Sequence, residues 1–133
     1  MLDKDGISIC LVDGDDVVRE ALTAMLEASG YAVTCFASGG ALLAAEAKVA
    51  RRARTCLVLD LDLSDMSGIE LARRLRAAGS TTPFVVTTAR PRRGDEARVR
   101  AAGAAVFLDK PISRQRLVSA IERAMAGRRP RRG

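Results

Sequence analysis

Five short apolar runs recur along the chain: Ile7 to Val12, Tyr31 to Phe36, Cys56 to Leu59, Phe84 to Thr87 and Ala105 to Leu108. Each is too short for a buried helix, so each predicts a strand. Between them, apolar residues recur at helical spacing. In the first such segment Val17, Val18, Ala21, Leu22, Met25 and Leu26 form one stripe, with Asp16 as the expected N-cap and Gly30 as the stop. A second helix is expected from Ser38 to Val49, capped by Ser38 and carrying Leu42 and Leu43 inward. A third is expected from Ser67 to Ala78, with Ile69, Leu71, Ala72 and Leu75 on one face and Gly79 closing it. The fourth, Arg92 to Ala102 before Gly103, has little large apolar surface beyond Val99 and is expected to be weakly anchored and mobile. The fifth runs from Ser113 as cap to Ala126, with Leu117, Val118, Ile121 and Met125 as its stripe and Gly127 as its stop.

Strands alternating with helices predict an α/β domain with a parallel sheet, right-handed crossovers placing helices on both faces. The 133 residues amount to about one domain. Residues 1–127 are read as that domain and residues 128–133, made of Arg, Pro and Gly only, as a basic disordered tail. Aromatic residues make up only 3% of the chain and Trp is absent, so the core must be built from Ala, Val, Leu and Ile in thin layers.

Charge and composition narrow the functional classes. No apolar stretch approaches the roughly 18 residues that span a bilayer, and the start Met1-Leu2-Asp3-Lys4-Asp5 is unlike a signal peptide, which gives a cytoplasmic reading and no membrane partner. The odd, widely spaced Cys10, Cys35 and Cys56 argue against a disulfide framework or zinc site and are expected to be small buried hydrophobes. Histidine is absent, which removes the commonest general base and metal ligand. The net charge of +6 comes from arginine clusters, Arg51 to Arg54, Arg73 to Arg76, Arg90 to Arg100 and the tail. They are read as solvated helix faces rather than a nucleic-acid surface, because stacking aromatics are scarce and no helix-turn-helix follows the fifth helix.

The chemistry gathers at strand ends. Asp13, Asp60, Thr88 and Lys110 each follow or close an apolar run, which puts them at the carboxyl edge of the sheet, where open α/β folds bind ligands. Two carboxylates, a hydroxyl and an ammonium suit a divalent cation and a phosphoryl group. Asp16, Asp65 and Ser67 are read as cap or turn residues.

The segments Leu11-Val12-Asp13-Gly14-Asp15-Asp16, Val58 to Gly68 around Asp60, Val85-Val86-Thr87-Thr88-Ala89 and Phe107-Leu108-Asp109-Lys110-Pro111 together resemble the receiver domain of bacterial two-component response regulators, over about residues 7–126. The resemblance implies a flavodoxin-like, CheY-like doubly wound sheet of strand order 2-1-3-4-5. It implies that Asp60 accepts a phosphoryl group from a sensor histidine kinase, with metal-assisted self-phosphorylation and dephosphorylation but no enzymatic turnover of another substrate. Mg²⁺ would be held by Asp13, Asp60 and the backbone carbonyl of Asp62. Thr88 and Lys110 would contact the phosphoryl oxygens, Thr88 and Phe107 would form the switch pair, and the peptide before Pro111 would be cis. The switching surface would be the fourth helix, fifth strand and fifth helix, serving a downstream protein, an output domain or a second copy of the chain.

Three positions depart from the family pattern. Gly14 stands where a second metal-site acid is usual, which is expected to weaken or alter Mg²⁺ binding. Asp15, swung inward on the permissive glycine, and the side chain of Asp62 are candidate replacements. Ser64 stands where a proline is usual, and Phe107 lacks a hydroxyl. Two readings therefore stay open: a phosphorylated receiver with altered metal dependence, and a degenerate receiver acting as a phosphorylation-independent interaction or dimerisation module. Direct nucleic-acid binding through the arginine tail and the fourth-helix region ranks third.

Overall fold

The computed structural model describes residues 6–50 and 54–127, the side chains of 46–50 excepted. The expected tail at 128–133 lies outside the described residues. Five strands, β1 (Ser8–Val12), β2 (Ala32–Phe36), β3 (Thr55–Asp60), β4 (Phe84–Thr88) and β5 (Val106–Asp109), alternate with five helices, α1 (Asp16–Ala28), α2 (Gly39–Ala50), α3 (Gly68–Ala77), α4 (Asp95–Ala101) and α5 (Arg114–Ala126). The sheet is parallel in the order β2-β1-β3-β4-β5, as the family resemblance implied. Among the described residues no helix is long and apolar enough to cross a membrane.

Strand periodicity explains the two cores. Successive side chains point to opposite faces of a strand, so Ile9, Leu11 and Val58 pack with Leu22 and Leu26 of α1 and Leu117 and Ile121 of α5. Their neighbours Cys10, Val12, Leu57 and Leu59 point the other way, against Leu71 and Leu75 of α3, Leu42 of α2 and Val99 of α4. With both faces covered, central β3 is buried at every position, which is why it reads as an unbroken apolar run ending in one acid. Edge strand β2 is only partly covered.

The helix starts differ from expectation in informative ways. Asp15, not Asp16, caps α1: Asp15 has extended backbone (φ −90°, ψ 117°), and its Oδ1 accepts from the N–H groups of Val17 (2.9 Å) and Val18 (3.1 Å). Asp16 is already helical and pairs with Arg19. Ser38, Ser67 and Ser113 cap α2, α3 and α5 as expected, through N–H groups three residues on. Helix α4 begins at Asp95 rather than Arg92, after Gly94 in a left-handed conformation (φ +86°). Gly127 closes α5 without a left-handed turn (φ −69°), unlike Gly30 and Gly79. Cys10 and Cys56 are buried, but Cys35, on the edge strand with its Sγ beside Thr23 of α1, is exposed. Arg76 is not a merely solvated charge either: its guanidinium lies 5.0 Å from the Phe84 ring centroid and donates to the carbonyls of Ser80 and Thr82.

Candidate functional site

Asp60 is the last residue of β3 and Thr88 the last of β4, while Asp13 and Lys110 directly follow β1 and β5. The register of four strands thus delivers all four to one edge. Lys110 joins the two acids: its Nζ lies 2.6 Å from Asp13 Oδ2 and 3.2 Å from Asp60 Oδ2, partners 97 and 50 residues away in sequence. Asp13 is fully buried and Asp60 nearly so. The Lys110–Pro111 peptide is cis, and the Lys110 N–H donates to the Thr88 carbonyl at 2.8 Å, which ties the start of the β5–α5 loop to the end of β4.

Backbone donors fix both carboxylates. Asp13 Oδ1 accepts from the Asp15 N–H at 2.9 Å, and Asp60 Oδ1 from the Asp62 N–H at 3.1 Å. Arg19 Nη1 donates to the Asp13 carbonyl at 2.7 Å, pinning the β1–α1 turn from the helix side. Burial pushes the Asp60 carboxyl above its usual range, with the Asp13 charge in the same direction; the Asp62 N–H and Lys110 offset only part of this. For Lys110, burial would lower the ammonium's pKa, but the hydrogen bond to Asp13 and the charges of both acids outweigh it and hold the pKa above the ordinary lysine value. The asymmetry has a simple cause: the ammonium faces two anions, whereas Asp60 faces one cation and one anion. Two carboxylates against one ammonium leave net negative charge in a pocket of hard oxygen donors. That donor set fits Mg²⁺, which is commonly held by one or two carboxylates with water filling the rest. Among the described residues no group of three or more acids, cysteines or histidines forms a fuller cage.

The two candidate replacements for the missing acid are engaged elsewhere. The Asp15 carboxylate is exposed and committed to the start of α1, and Gly14 has no left-handed turn that would swing it inward. The Asp62 carboxylate accepts from the Thr88 hydroxyl at 3.1 Å and from Arg92 Nη2 at 2.9 Å. Phe107 is half-buried against the core cluster beneath α4.

Sequence reasoning missed two anchors. Asp65, read as a turn residue, accepts from the N–H groups of Gly39 (3.1 Å) and Gly40 (2.8 Å), capping α2 from across the molecule; these bonds hold its carboxyl below the usual range. A Cβ on Gly39 would sit 2.7 Å from Met66 Sδ and displace that flexible side chain, and one on Gly40 would sit 3.2 Å from Asp65 Oδ2 and push the carboxylate back slightly. Asp95 is fully buried, accepts from the Arg92 N–H at 2.7 Å and pairs with Arg98. The scarcity of large apolar residues beyond Val99 in the α4 segment hid this polar anchor.

The response regulator receiver domain family matches residues 9–122. The chain belongs to that family. The receiver is 34% identical over 129 residues to the transcriptional regulatory protein FixJ of Azorhizobium caulinodans, covering 97% of this chain and 59% of that protein. It is 34% identical to the response regulator MprA of Mycobacterium leprae, covering 92% of this chain and 52% of that protein. Among solved structures, FixJ-N matches with a TM-score of 0.83 and 35% identity over 95% of this chain and 96% of that one. A CheY-like receiver from Methanospirillum hungatei, at 24% identity and a TM-score of 0.79 over 91% and 94% of the two chains, shares the fold. The sequence thus spans little more than half the length of these curated relatives. Receiver domains of response regulators pair with sensor kinases and output domains and generally use Mg²⁺.

Proposed function

We propose that this receiver takes a phosphoryl group from a sensor histidine kinase onto Asp60 and signals through the α4-β5-α5 surface. The observation that carries the reading is the Lys110 ammonium bridging Asp13 and Asp60 at the sheet edge, with Thr88 beside them. A carboxylate oxygen of Asp60 attacks the phosphorus, the bond from phosphorus to the kinase imidazole nitrogen breaks, and the nitrogen leaves with the electron pair and takes a proton from solvent. In this chemistry the protein's task is placement and charge neutralisation. Lys110 neutralises one side, and Asp13 keeps the ammonium aimed at Asp60. Mg²⁺ would be held by the Asp13 and Asp60 carboxylates and the Asp62 carbonyl, and when bound it supplies the remaining positive charge. Hydrolysis of the acyl phosphate by water resets the domain.

Output through α4-β5-α5 is supported by a hollow of about 760 Å³ lined by Arg100, Val106, Phe107, Arg116 and Arg123 among others, a basic and partly apolar surface suited to an acidic partner, an output domain or a second copy. Incubation with a small phosphodonor and Mg²⁺ should add one phosphoryl increment to the intact mass, lost in Asp60→Asn. No increment under any divalent cation would favour the phosphorylation-independent module instead. Gly14 is exposed, and a Cβ there meets only the Ala37 carbonyl at 3.6 Å, an ordinary contact. Gly14→Asp should therefore fold normally and bind Mg²⁺ more tightly in a titration followed by NMR; unchanged affinity would mean the glycine does not limit the site.

A further inference from the structure

Resting on the reading of Asp60 as phosphoacceptor, we propose that the Asp62 carboxylate occupies the anion position between Thr88 and Arg92 in the resting molecule. The transferred phosphoryl group displaces it and takes both donors, which makes Arg92 a second cationic contact of the phosphorylated state.

The argument begins with one proton. A threonine hydroxyl donates a single hydrogen bond. In this structure Thr88 is fully buried, its Oγ1 accepts from the Arg90 N–H at 3.1 Å, and its proton goes to Asp62 Oδ2 at 3.1 Å. Thr88 cannot donate to a phosphoryl oxygen until Asp62 lets go. The other oxygen, Oδ1, takes Arg92 Nη2 at 2.9 Å, so one carboxylate spans a hydroxyl and a guanidinium as two oxygens of a phosphoryl group could. The exchange is favourable on charge. A phosphoryl group brings more negative charge and three acceptor oxygens, and its arrival two residues from Asp62 repels that acid. Both partners are free to move: the side chains of Asp62 and Arg92 are 45% and 64% exposed, and such pairs are weak. Arg92 also stands at the approach to α4, where its N–H is held by buried Asp95, so a change of partner at its guanidinium is felt at the switching surface.

The test follows phosphorylation and decay by intact mass, with acetyl phosphate as donor and saturating Mg²⁺, in the whole chain and its variants. Asp62→Ala should be phosphorylated several-fold faster than the parent, because the Thr88 hydroxyl and Arg92 Nη2 start released from the Asp62 carboxylate. Arg92→Gln should lose its phosphoryl group several-fold faster, with Arg92→Lys recovering part of the lifetime and with the melting temperature and α4 amide resonances of the unphosphorylated protein unchanged. Slower phosphorylation of Asp62→Ala with a higher Mg²⁺ requirement would make the Asp62 carboxylate, and not only its carbonyl, a metal ligand and overturn the proposal. An unaltered lifetime in Arg92→Gln would remove Arg92 from the phosphorylated state while leaving Asp60 as acceptor. No phosphoryl increment on the parent protein would sink the Asp60 reading itself, and this exchange with it.

Discussion

The two loops flanking the site are built to opposite specifications. The β3–α3 loop, from Leu61 to Ser67, is held by backbone: Gly68 N–H returns to the Leu61 carbonyl at 2.8 Å, Asp62 bridges Ser67, and Asp65 fastens the loop to two N–H groups of α2. The β4–α4 segment, from Ala89 to Gly94, has main-chain bonds from Arg90 to the Thr88 hydroxyl and from Arg92 to Asp95, and reaches Asp62 and Asp95 through the long Arg92 side chain. One loop is fixed by main-chain bonds and one short carboxylate; the other depends on a long, largely exposed arginine. The first keeps a nucleophile in place, and the second is the part that a change of charge can move.

That contrast can be broken from either side. The largest effect is expected at the hub: Lys110→Met leaves buried Asp13 without its cation and should cost about 3 kcal/mol in denaturant unfolding, with loss of phosphorylation. On the rigid side, a Cβ at position 68 would lie 2.6 Å from the Asp60 carbonyl oxygen, so Gly68→Ala should cost about 2 kcal/mol and shift the Asp60 amide resonance. If Gly68→Ala melts with the parent, the loop is softer than its contacts imply.

A smaller effect with a definite sign comes from Asp60. Its pKa is raised on folding, so between the unfolded value of about 3.9 and the folded value the native state holds more protons, and stability falls as pH rises through that window. In metal-free buffer at neutral pH, Asp60→Asn should therefore be more stable than the parent, and the gap should close as pH falls through the Asp60 pKa. A gap that widens on acidification would contradict the burial argument. On the mobile side Arg92→Gln should change stability by no more than about 0.5 kcal/mol, since an exposed pair contributes little. The contrast predicts that this smallest change in stability accompanies a large change in phosphoryl lifetime.

What the chain discloses without coordinates follows the same division. The strands and the four strand-end groups are legible because an apolar run of fixed period must end where its face leaves the core, and a functional group at that point cannot drift. The three serine caps are legible for a similar reason. The cap of α1 is not, because Asp15 and Asp16 have the same chemistry and the choice is made by one residue's backbone angles. Asp65 and Asp62 are illegible for a different reason: their partners lie 25 or more residues away, on elements that only the folded sheet brings near. Asp95 reads as a surface acid in an arginine-rich stretch, and only the tertiary structure reveals it as the buried post on which α4 turns.

Cys35 offers a practical handle. Its two companions are sealed in the core, out of a reagent's reach, and burial, with Cys10 alongside, pushes the Cys56 thiol up to about 12. A maleimide dye should therefore attach at one place without any engineering of the sequence, on the outer strand beside Thr23. The molecule carries its own address for a fluorescent reporter, set on the strand next to the one that leads into Asp13.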